Sequence, residues 1–125
     1  MIPGSNKDHP SFIRSFGYAI EGFVTAVKTE RNIKVMLFAG VLTVIVGFVA
    51  KLQLISWALI AICIGLVIFA ELCNTAMEAI VDLATQEFHP LAKRAKDIAA
   101  ASVYVLSITA AIVGLLVFAH ALDFI

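Results

Sequence analysis

Charge is scarce in this sequence. Only 14% of its 125 residues are charged, nine Lys and Arg against nine Asp and Glu, while 62% are hydrophobic. Globular domains average about 25% charged and about 45–50% apolar residues, so a large soluble catalytic domain is excluded and one domain is the most this length supports. The mean hydropathy of +1.01 points to lipid as the solvent of the excess apolar surface. A net charge of zero removes the basic excess that a phosphate backbone demands, so no nucleic-acid partner is expected. Cysteine is rare too. Cys63 and Cys73 fall in what reads as one helix, about 15 Å apart, too far to pair. They lack metal-site spacing and are expected as buried small hydrophobes. His9, His89 and His120 are too scattered for a zinc cluster. The sequence contains no GxxxxGK[ST] loop, GxGxxG turn, protein-kinase signature set, GxSxG elbow or HExxH helix. The opening MIPGSNKDHPSFIRSF has no apolar core ahead of a small-residue cleavage site, so no cleavable signal peptide is expected.

What is present is long apolar runs. Residues 35–50, 52–70 and 98–119 contain no formal charge, giving 16, 19 and 22 residues, near the roughly 20 needed to cross a hydrocarbon core. Spans are expected over 33–50, 52–70 and 98–120, the first taking in Ile33 with Lys34 snorkelling. Lys51-Leu52-Gln53 makes the first two a hairpin, and 71–97 reads as a cytoplasmic helical extension and loop, broken at His89-Pro90. Phe12, Phe16, Ala19, Ile20, Phe23 and Val27 recur at three- and four-residue intervals, predicting an amphipathic surface helix over 12–29. The expected fold is an all-α integral membrane protein of three transmembrane helices plus this interfacial helix. Ala61/Gly65 and Ala110/Gly114 are small-xxx-small pairs that would permit close helix contact. Lys7, Arg14, Lys28, Arg31 and Lys34 precede the first span, Lys51 sits in the hairpin, and Lys93, Arg94 and Lys96 lie in the second connection. By the positive-inside rule the N-terminus and second connection are cytoplasmic and the C-terminus is outside.

The segment ELCNTAMEAIVD places Glu71, Asn74, Glu78 and Asp82 at spacings of three, four and four, within roughly 80° of one helix face. The stripe begins where the second apolar run ends. An ionised carboxylate is costly there unless paired or coordinated. Glu30, at the entrance of the first span, reaches the same level, or serves as an i,i+4 partner of Lys34. Eight of nine carboxylates, including Asp8, and eight of nine basic residues share the predicted cytoplasmic side. Carboxylates suit Mg²⁺, which one or two of them hold together with substrate phosphates, and Lys or Arg suits the remaining phosphate charge. A nucleotide or phosphate site is therefore expected at this edge. A different class, a small oligomeric transporter with Glu71 as an intramembrane proton or cation site, fits less well because the charge sits at the edge of a span.

ELCNTAMEAIVD followed by EFHPLAKRAKDIAAASV resembles the signature of the prokaryotic diacylglycerol kinase family, small three-span membrane kinases, from GYAIEGF and TERN through the third span. HPLAK and TERN resemble the undecaprenol kinase branch, usual in Gram-positive bacteria, more than the branch acting on diacylglycerol. The resemblance implies an ATP-dependent lipid kinase in the cell membrane, a homotrimer with sites between subunits at the cytoplasmic interface. It implies Glu71 as catalytic base, and Glu30 and Glu78 as carboxylates holding Mg²⁺ with the ATP phosphates. Asn74 matches the polar residue beside them, and Tyr18, Glu87, His89, Lys96 and Asp97 match nucleotide contacts. Arg14 is the nearest match to a basic nucleotide contact, but stands closer to Tyr18 than in the family's other branch. Glu71 lies where the hydroxyl of a long-chain alcohol would arrive, and phosphoryl transfer needs little beyond positioning and charge neutralisation. The expected reaction is transfer of the γ-phosphate of Mg·ATP to undecaprenol, with diacylglycerol as the alternative acceptor.

Overall fold

The computed structural model describes residues 11–125, and the regular structure among them is helical. Lys7, Asp8 and His9, used in the charge and histidine readings above, lie outside the described residues. Four helices follow in chain order: α1 (Phe12–Thr29), α2 (Arg31–Val49), α3 (Leu54–Ala84) and α4 (Pro90–Ala121). The last three are long and apolar enough to cross a membrane. Their lengths of 19, 31 and 32 residues correspond to about 28, 46 and 48 Å, against a hydrocarbon core of about 30 Å. Helix α2 has nothing to spare, whereas α3 and α4 each carry about a third of their length past the lipid.

The helices do not stop where the uncharged runs stop. Helix α2 starts at Arg31 and includes Lys34, α3 continues unbroken through residue 71 to Ala84, and α4 starts at Pro90, well before the run that opens at Ile98. Backbone hydrogen bonding, not hydropathy, decides where a helix ends, and no residue in these flanks interrupts it. The interruption comes at 85–89. Thr85 Oγ1 accepts from the Glu87 amide at 3.2 Å, and His89 Nδ1 accepts from the Leu91 amide at 3.1 Å, capping α4. Pro90 then takes the first turn, where its missing N–H costs nothing.

The α2–α3 hairpin is fixed by a helix-terminating motif rather than by a glycine. Lys51 adopts φ 55°, its amide donates to Phe48 O, and the Leu52 amide reaches back to Gly47 O, both at 3.2 Å. This is the Schellman pairing, and it turns Leu52 inward, so that Leu52 is a buried anchor of the corner and α3 begins only at Leu54. The same pattern ends α4, where Asp123 has φ 60° and the Phe124 amide donates to Ala119 O. At the corner the Trp57 ring lies tilted by 50° against Phe48, centroids 4.8 Å apart, and covers Gly47, where an added Cβ would lie 2.7 Å from the Trp57 ring.

Buried residues form two tiers. Leu52, Ile60 and Val117 pack near the hairpin, while Ala26, Ile33, Ala70 and Glu71 pack where α1 and α2 meet the middle of α3. Between them α2, α3 and α4 leave an apolar groove of about 610 Å³, bordered by Gly40, Cys63, Ala110 and Gly114 among others. Two sequence expectations change here. A Cβ at Gly65 or Gly114 would meet nothing within 4 Å, so the small-xxx-small pairs do not mark tight contacts within the chain; Gly47 does, and Gly40 makes an ordinary contact with Ile64. Cys73 is exposed and Cys63 only half-buried, because the face of α3 carrying Cys73 has no neighbour within one chain.

Gly47→Val should destabilise the hairpin by about 1–3 kcal/mol through overpacking against Trp57, read as a lower thermal midpoint in detergent; an unchanged midpoint would mean that the ring swings aside freely. Lys51→Gly should raise stability by up to about 1 kcal/mol, since a left-handed φ penalises any Cβ. A fall in the denaturation midpoint of that variant would show that the Lys51 side chain contributes more than its backbone costs.

Candidate active site

Helix α3 displays the acidic stripe as a gradient of burial. Glu71 is 2% exposed and Asn74 8%, Glu78 is half-buried, and Asp82 is open to solvent. The neighbours of Glu71 come from the start of α2. Ile33 is fully buried, and the Asn32 side chain lies against the Glu71 carboxylate, with Glu30 and Glu78 near enough to repel its charge. Asn32 was not legible as a site residue, because only the packing of α2 on α3 brings it to the stripe.

Glu30 is the cap residue between α1 and α2, in extended conformation, and its side chain makes no capping hydrogen bond. Lys34 does not pair with it. The Lys34 ammonium instead donates to the Lys28 carbonyl at the end of α1, at 3.5 Å. Asn74 Nδ2 donates to Glu78 Oε1 at 3.3 Å, while Asn74 Oδ1 and Thr75 Oγ1 are buried without a partner. Unsatisfied buried oxygens of this kind are costly. Among the described residues the ion pairs are Lys93–Asp97 and Lys96–Asp82, so Glu30, Glu71 and Glu78 have no cationic side chain.

Lys96 bridges from α4 to Asp82 Oδ1 on α3 at 2.6 Å. It lies two residues before the uncharged run that opens at Ile98, outside the lipid-length part of the helix. The hydrogen bond that it donates to Asp82 is the main influence holding its ammonium above the usual lysine range, and the Glu78 charge adds to it. With both side chains well exposed the pair contributes little to stability; its effect is to place a positive charge beside the acidic stripe. Asp97 is engaged by Lys93 one turn earlier on the same helix, at 2.5 Å.

The structure thus brings Glu30, Glu71, Asn74 and Glu78 together, with Lys96 beside Glu78. Glu87 and His89 lie in the 85–89 connection, where His89 is committed through Nδ1 to capping α4. Arg14 and Tyr18 are on the first half of α1, where residues 11–25 are all exposed, and among the described residues neither forms an ion pair or side-chain hydrogen bond. The described residues contain no ready-made group of three or more metal-ligating side chains. One or two carboxylates with an unsatisfied amide oxygen nearby do suit Mg²⁺, which usually completes its shell from water and phosphate oxygens.

Comparison with known proteins identifies the family. The family model described as prokaryotic diacylglycerol kinase matches residues 17–118. An undecaprenol kinase of Bacillus subtilis is 42% identical over 117 residues, covering 90% of this chain and 95% of that protein. A diacylglycerol kinase of Synechocystis is also 42% identical, over 84% of this chain and 61% of its own length. A diacylglycerol kinase of Escherichia coli K12 is 32% identical over 80% of this chain and 82% of its own. With the match running from α1 nearly to the end of α4, the chain belongs to the prokaryotic diacylglycerol kinase family.

Proposed function

We propose that this lipid kinase transfers the γ-phosphate of Mg·ATP to the hydroxyl of undecaprenol, giving undecaprenyl phosphate. The observation that carries the reading is Glu71, a carboxylate 2% exposed and without a cationic side chain, at the head of a stripe that opens to water at Asp82. The depth suits an alcohol whose tail stays in the bilayer, and the open end suits a water-soluble donor. The similarity to the Bacillus subtilis undecaprenol kinase, which extends over 95% of that protein, favours the polyprenol. Diacylglycerol is the second reading, favoured by the equal identity of the Synechocystis relative named for it.

Glu71 accepts the proton that the attacking hydroxyl loses, and Asn32 orients its carboxylate. Glu30 and Glu78 would hold Mg²⁺, which would neutralise charge on the phosphate oxygens. Asn74 holds Glu78 in place, and Lys96 offsets the remaining phosphate charge. Tyr18, Glu87, His89 and Asp97 are assigned to the nucleotide, and Arg14 joins them on its position in α1. Helix α1 lies along the cytoplasmic surface of the cell membrane, with Phe12, Phe16 and Ile20 in the interface, and the C-terminus of α4 is outside.

A homotrimer completes the molecule. Its support is the poor coverage of the single chain: α1 is exposed over most of its length, and apolar side chains such as Phe38, Phe69 and Leu115 face outward. Native mass spectrometry from detergent should give three copies, and a monomer that retains turnover would remove the shared site.

Labelled γ-phosphate should pass from Mg·ATP to undecaprenol in preference to diacylglycerol when both are offered in mixed micelles. Glu71→Gln should lower kcat by roughly 10²–10⁴-fold, the usual contribution of a general base, with assembly intact. Preference for diacylglycerol would overturn the acceptor and keep the chemistry. Full turnover in Glu71→Gln would sink the base assignment, and no labelling by folded protein would return the transporter reading.

A further inference from the structure

We propose that Asp82 is a positioning residue for the nucleotide, acting through Lys96; the inference rests on the kinase reading above. The two side chains meet at 2.6 Å from positions 14 residues apart, across the connection between α3 and α4. Asp82 lies one turn beyond Glu78 on the acidic stripe, about 6 Å along the axis, and Lys96 is close enough to Glu78 to feel its charge. The ammonium is therefore held beside the place where a metal-bound polyphosphate would sit.

Lysine has one of the largest losses of rotamer freedom on being fixed. A lysine free in solution bears that cost when it meets a phosphate, whereas one already tethered has borne it in advance. An ammonium has three N–H donors. The bond to Asp82 Oδ1 uses one and leaves two for phosphate oxygens, so the carboxylate need not let go. Its own repulsion of the phosphates is weakened by water, since the Asp82 side chain is 63% exposed. Positioning therefore outweighs competition. Asp82 touches neither lipid nor nucleotide; it aims the group that does.

The test uses the full-length protein in detergent micelles, with binding of Mg²⁺ and a fluorescent ATP analogue read alongside steady-state kinetics and the thermal midpoint. Asp82→Asn should raise both the nucleotide Kd and the ATP KM by roughly threefold to tenfold, as expected when a charged contact loses its positioning. The lipid KM and thermal midpoint should stay put, which a purely structural tie between α3 and α4 would not allow. Asp82→Glu should restore most of the affinity. In a Lys96→Gln background Asp82→Asn should add no further loss. Unchanged or tighter nucleotide binding by Asp82→Asn, or an equal loss with and without Lys96, would overturn the proposal while leaving the kinase reading in place. If Asp82→Asn fails to fold, Asp82→Ser decides: it must weaken nucleotide binding only where Lys96 is present, and unchanged binding or equal losses in both backgrounds overturn the proposal. Absence of nucleotide binding by the unaltered protein would overturn the kinase reading itself, and this inference with it.

Discussion

Keeping a buried carboxylate among apolar helices is the constraint around which this chain is arranged. An ionised Glu71 is tolerable there only if protein surrounds it and something of opposite charge can reach it. The packing follows from that. Ile33 and Ala70, the sequence neighbours of Asn32 and Glu71, are buried as Glu71 is, Asn32 supplies an amide, and the stripe becomes steadily more exposed towards Asp82. In a chain with 14% charged residues, concentrating the acids here leaves the rest of α3 free to be apolar.

The second constraint is the backbone. Lipid offers no hydrogen bonds, so each crossing must satisfy its own amides, and helices are the answer for three isolated segments. Where the chain turns, the amides are still accounted for: Leu52 to Gly47, Phe124 to Ala119, and Leu91 to His89 Nδ1. The turns distant from the stripe use left-handed Lys51 and Asp123 rather than glycine, which places a charged side chain at each corner. The 85–89 connection uses side-chain capping and Pro90 instead.

Much of this was legible in the sequence. The intervals of Phe12, Phe16, Phe23 and Val27 gave a helix that occupies Phe12–Thr29, and the spacing of Glu71, Asn74, Glu78 and Asp82 put them on one face, because helical periodicity is a local property. The unread parts are those that depend on which helix lies against which. Asn32 gave no signal on its own, since its meaning comes from α3. Lys96 read as a phosphate ligand, and its tie to Asp82 needed the geometry of the connection. Gly47 is distinguished from Gly65 and Gly114 only by the Trp57 ring that covers it. Arg14 and Tyr18 stand on the exposed first half of α1, and among the described residues no hydrogen bond or ion pair ties them to the acidic stripe.

Helix α3 runs as one uninterrupted rod from the corner at Leu54 to Ala84, so the groove-lining face near the hairpin and the acidic face near its other end share one angular phase. An α-helix advances about 100° per residue. A single inserted residue between Cys63 and Glu71 would therefore swing the whole stripe away from Asn32 and α2, even if every side chain survived, whereas an insertion of four would nearly restore the phase while moving it about one turn deeper or shallower. Within α3, length behaves like the pitch of a screw, tying the depth of the site to the direction it faces.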